Sequence, residues 1–109
     1  MPRQIRLGPL GIDLDSFVVL LEGRPLRLTQ LELHLLYYLA ANAGRVVSTS
    51  RLIDFAWGMD GDADASLLKT HISHIRRKLR EASDHPIAIT AYPGIGYGLQ
   101  ISQGQTSAT

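Results

Sequence analysis

The residues with the most chemical capacity fall in one short stretch. Between Lys69 and Arg80 the chain places five cations, Lys69, Arg76, Arg77, Lys78 and Arg80, and no acid. Thr70, His71, Ser73 and His74 are interleaved with them. Cations in this pattern neutralise phosphates, and short polar side chains beside arginine and histidine read the edges of bases. A plainer reading stays open: acids before a helix (Asp60, Asp62, Asp64) and cations toward its end complement the helix dipole. His71 and His74 make half of a metal site. Zinc takes three or four ligands, and no cysteine or well-placed acid completes the set, so no metal is expected. Gly94, Gly96 and Gly98 have the look of a phosphate loop, but such loops open a helix. Here they sit inside a predicted hairpin, where glycine serves a tight turn. No Ser/His/Asp set or carboxylate pair has a supporting motif, which predicts a binding protein with neither catalysis nor cofactor.

Those side chains need a helix to present them. Leu68, Ile72, Ile75 and Leu79 repeat at helical spacing and lie within a sector of about 60°. The predicted helix starts at an Asp64 cap and runs to about Ala82, where Asp84-His85-Pro86 breaks it. With its stripe inward, Thr70, Ser73, His74 and Arg77 face out, flanked by Lys69, Arg76 and Arg80. Two helices precede it. Thr29 and Glu32 form a capping box for the first, which ends at Ala43-Gly44. Ser48 or Thr49 caps the second, which reaches Trp57. Ahead of all three, Gln4–Leu7, Ile12–Leu14, Phe17–Leu21 and Leu26–Leu28 read as antiparallel strands. Ile87–Thr90 and Tyr97–Ile101 close the chain as a hairpin. The fold class is therefore α+β: an N-terminal antiparallel sheet, three helices and a C-terminal β-hairpin, the order of a winged helix-turn-helix.

Composition narrows the setting. The 109 residues make one domain, expected over 1–102, with 103–109 as a flexible polar tail. There are 0 cysteines, so disulfides and thiolate chemistry are excluded. No apolar run spans a membrane and the N-terminus lacks a signal-peptide core, which predicts a cytoplasmic location without membrane contact. The net charge of +1 hides its distribution, because the cations after residue 64 all lie on the third helix. His34 and His85 read as isolated surface residues, and Trp57 and the Tyr37-Tyr38 pair as partly buried core.

Over about residues 5–101 the chain resembles the C-terminal effector domain of OmpR/PhoB-type response regulators. Four blocks carry the likeness: Leu28-Thr29 through Glu32 and Leu36 to Leu39, with Gly44 to Ser48; Leu52 to Trp57-Gly58; His71-Ile72-Ser73 through Leu79; and Gly94-Ile95-Gly96-Tyr97. The resemblance implies sequence-specific binding of double-stranded DNA in transcription regulation. Helix 64–82 would enter the major groove, and hairpin 91–98 would be the wing. It implies base contacts from Thr70, Ser73, His74 and Arg77. Phosphate contacts would come from Ser48, Thr49, Arg51, Trp57, Lys69, His71, Arg76 and Arg80. The wing would use Tyr92, Pro93, Gly94, Gly96 and Tyr97. The loop of Gly58, Met59, Asp60, Gly61 and Asp62 would touch RNA polymerase. Family members pair head-to-tail on DNA under control of a receiver domain, which would lie outside this chain. The wing departs from the family pattern: Ala91 to Gly98 lacks its threonine and both arginines. That departure and the acids between Asp54 and Asp64 support an alternative, a winged-helix protein-interaction module with weak or no DNA binding.

Overall fold

Alternation of apolar residues sets the first sheet. In the structure, a computed structural model describing residues 2–59, 61–83 and 87–101, β1 (Gln4–Leu7), β2 (Leu10–Asp13), β3 (Val18–Leu21) and β4 (Arg24–Pro25) pair antiparallel in that order. The register Leu10↔Leu21 and Ile12↔Val19 puts four buried side chains on one face, where they join the core. The tight turn Glu22-Gly23 has positive φ at both residues, as a two-residue hairpin requires. The fourth strand falls at Arg24–Pro25, ahead of the expected Leu26–Leu28, because this turn starts pairing at once with Leu21.

Helix α1 (Gln30–Ala41) opens with the capping box the sequence predicts. Thr29 Oγ1 accepts from the Glu32 amide at 3.2 Å, and Glu32 Oε1 accepts from the Thr29 amide at 2.9 Å. Its Leu33, Leu35, Leu36, Tyr37 and Leu39 are buried. Helix α2 (Thr49–Trp57) is capped by Ser48 and α3 (Ala65–Ala82) by Asp64, each through a side-chain oxygen on a first-turn amide. Leu68, Ile72, Ile75 and Leu79 of α3 are the buried stripe.

The C-terminal hairpin is larger than expected. β6 (Ile87–Tyr92) and β7 (Gly96–Ile101) form it, and β5 (Val46–Ser48), unforeseen in the sequence, adds a third strand on β7. Gly96 makes that addition possible, since a Cβ there would lie 1.9 Å from the Val47 carbonyl oxygen. At the turn the Thr49 amide donates to the Ile95 carbonyl at 3.0 Å, so the hairpin tip is bonded to the first residue of α2. Asp60, the Asp84-His85-Pro86 breaker and the tail 103–109 lie outside the described residues. No helix among the described residues is long and apolar enough to cross a membrane.

Candidate nucleic-acid interface

With its stripe buried, α3 turns a polar face to solvent. Lys69, Thr70, Ser73, Arg77 and Arg80 are exposed there. The Thr70 hydroxyl donates back to the Ser66 carbonyl at 3.2 Å, which leaves its oxygen as an outward acceptor. Arg77 Nε stands 4.0 Å from Glu81, a solvated pair one helical turn away that restrains the guanidinium little.

Other members of the expected set are engaged. Arg76 is half-buried: its Nε donates to the Ile89 carbonyl of β6 at 2.8 Å, and its guanidinium lies 5.9 Å from the Tyr97 ring centre. It fastens α3 to the three-stranded sheet. His71 turns inward, its ring 5.5 Å from that of Trp57 and 6.1 Å from that of His74. His71 Nδ1 is buried and has no hydrogen-bond partner among the described residues. Lys78, counted in the cationic run, is held at 2.7 Å by Glu32 of α1 and leaves the outer face. Burial pushes the Glu32 carboxyl up, but hydrogen bonds from the Lys78 ammonium and the Thr29 backbone, with the ammonium's charge, hold it below the ordinary glutamate value.

The rest of the expected surface surrounds the start of α2 and the hairpin. Ser48 Oγ accepts from the Arg51 amide at 3.2 Å, Thr49 is bonded to Ile95, and the Arg51 side chain is exposed. Trp57 is partly buried against the core. A groove runs between the N-terminal half of α3 and the hairpin, lined by Thr49, Ser66, Lys69, Tyr92, Pro93 and Tyr97. Pro93, Gly94 and Ile95 are exposed at its tip, whereas Gly96 is buried beneath β5. In the loop after α2, Gly58, Gly61 and Asp62 are exposed and Met59 is 86% exposed.

Two sequence expectations are corrected. His34 is no isolated surface residue: it is half-buried, edge-on between the rings of Phe17 and Phe55. An acid does stand beside His71 and His74. Glu32 was missed because it lies on another helix; its place on the buried side of α1, one turn before Leu35 and Leu36, was the available signal. A carboxylate there needs a cation or hydrogen-bond donors.

The family described as "Transcriptional regulatory protein, C terminal" matches residues 23–99. The chain is 35% identical over 96 residues to the sensory transduction protein RegX3 of Mycolicibacterium smegmatis, covering 88% of this chain and 42% of that protein. It is 35% identical over 100 residues to the alkaline phosphatase synthesis transcriptional regulatory protein PhoP of Bacillus subtilis, covering 92% of this chain and 42% of that one. The chain thus spans less than half of either relative. Among solved structures, the DNA-binding domain of CpxR from E. coli superposes with a TM-score of 0.78 at 30% identity, covering 93% of this chain and 98% of that one. The Klebsiella pneumoniae RstA DNA-binding domain, solved in complex with the RstA box, superposes with a TM-score of 0.75 at 26% identity, covering 91% and 98%.

Proposed function

Because the chain belongs to the family of C-terminal domains of transcriptional regulatory proteins, of the OmpR/PhoB winged-helix type, we propose that it binds double-stranded DNA sequence-specifically. The observation that carries this is the exposed row Lys69, Thr70, Ser73, Arg77 and Arg80 on the solvent face of α3. A helix whose apolar stripe is sunk in the core offers such a row to a major groove. Thr70, Ser73 and Arg77 read base edges, with His74 at the margin of the row. Lys69, Arg80 and Arg51 meet phosphates. Arg76 acts chiefly by holding the hairpin against α3, and the hairpin tip lies along the adjacent minor groove.

The domain acts in the cytoplasm as a binding module, with transcription as its output and no catalytic step. The exposed loop around Met59 is the surface offered to RNA polymerase, and two copies sit head-to-tail on repeated sites. A receiver domain on a longer chain governs that pairing, in keeping with the fraction of RegX3 and PhoP that this chain covers.

Fluorescence anisotropy with duplexes selected from a random pool tests the reading across a salt series. Selected duplexes should bind well below 100 μM, about the weak end of ordinary non-specific affinity, and should weaken steeply with salt. No enrichment from the pool, or an affinity indifferent to salt, would instead support a protein-interaction module.

A further inference from the structure

We propose that Glu32, His71 and His74 form a binding site for one divalent transition-metal ion of the zinc type, bridging α1 and α3. Each residue offers a ligand atom, and these atoms lie within 4.8 Å of one another. His74 Nδ1 stands 3.9 Å from Glu32 Oε2. Ligands of a tetrahedral zinc with bonds of about 2.0–2.1 Å stand about 3.3 Å apart, so a small side-chain rotation closes the set. The half-exposed His74 has room for that rotation.

The site is built from both sides. Glu32 is buried, and its Oε1 accepts from the Thr29 amide and Lys78 Nζ, which orients the carboxylate and leaves Oε2 toward His74. A metal-binding carboxylate is commonly fixed in this way through hydrogen bonds. His71 supplies the second observation. Its Nδ1 is fully buried with no hydrogen-bond partner among the described residues, a costly state for a ring nitrogen in a packed interior. Two imidazoles and one carboxylate suit zinc, cobalt or nickel, while magnesium and calcium take oxygen-rich sets. Three protein ligands leave the fourth position to water. The Lys78 ammonium opposes the added charge and moderates the affinity. Metal would also draw His74 inward, away from the polar face of α3.

Trp57, the single tryptophan, has its ring 5.5 Å from that of His71 and reports on the site. Co2+ titrated into the whole chain should quench its fluorescence saturably at one ion per chain, with a visible ligand-field band that Zn2+ abolishes. His74→Ala should lose roughly tenfold or more in affinity, and His71→Gln likewise, with folding of both checked by circular dichroism. His34→Gln should bind as the parent does. Zn2+ at about a hundredfold excess over its dissociation constant should raise the parent's melting temperature by roughly 10 °C, and that of His74→Ala far less. Absence of saturable quenching below about 100 μM, equal affinity in His74→Ala, or loss of binding in His34→Gln would overturn the proposal.

Discussion

Lys78 Nζ lies 2.7 Å from Glu32 Oε1, an ion pair that joins α3 to the first turn of α1 across the core edge. The Glu32 side chain is almost entirely enclosed, with 3% exposed, whereas the Lys78 side chain keeps 26%. The two partners therefore have unequal stakes, because the buried one has no water to turn to if the other is removed.

Lys78→Met should destabilise the domain by up to about 3 kcal/mol, the order expected when a buried charge loses its partner. Glu32→Gln combined with Lys78→Met should recover part of that loss, since no buried charge is then orphaned. Urea unfolding of the two single variants and the double variant measures both effects. A loss below about 0.5 kcal/mol for Lys78→Met would make the pair a surface ornament.

The same pair sets a pH dependence. Glu32 is held below its ordinary value of 4.5 in the fold, so its contribution is fully present above that value and fades as pH falls through the lowered native one. Unfolding free energy measured from neutral pH into acid should drop less steeply in Glu32→Gln than in the parent. An identical acid slope in both would remove Glu32 from the account.

Two glycines of one hairpin should respond very differently to alanine. A Cβ at Gly96 would meet the Val47 carbonyl, so Gly96→Ala must push β5 off β7 and should cost about 3 kcal/mol or more. Gly94 has φ +78 and open space around it, so Gly94→Ala faces only the left-handed backbone penalty of about 1–2 kcal/mol. Chemical denaturation ranks them, and equal costs would mean that β5 is not held against β7 as described.

On DNA, Lys69→Ala and Arg76→Ala should separate. Lys69 is exposed and bonded to nothing described, so its loss should lower the salt slope by about 0.9 and leave stability within about 0.5 kcal/mol. Arg76→Ala breaks the bond to Ile89, so thermal stability should fall together with DNA affinity. If Arg76→Ala lowers affinity at unchanged stability, Arg76 is a plain phosphate contact.

What the sequence made legible was what is local. The capping box at Thr29 and Glu32, the stripe from Leu68 to Leu79 and the hairpin around Gly94 each declare themselves within a few neighbouring residues, and each is present. β5 did not declare itself: three residues, Val46 to Ser48, carry too little alternation, and their partner strand lies some fifty positions later. The face of α3 was legible as a face, but which of its cations stay free was not. Lys78 is taken by Glu32, and Arg76 by a carbonyl of β6, through distances that no helical wheel contains. The inward turn of His71 was not legible for the same reason, because its surroundings come from Trp57 and from α1.

The bond from the Thr49 amide to the Ile95 carbonyl makes a caliper of two surface points. The mouth of α2 and the hairpin tip are its jaws, and the pairing of Ser48 with Gly96 is the rivet behind them. Their opening is preset before any partner arrives, so little freedom is left to lose when both are gripped. Equally, a lattice of binding points that does not match this fixed gap cannot be accommodated by flexing the hairpin alone. This fixed span should add to whatever discrimination the displayed side chains provide.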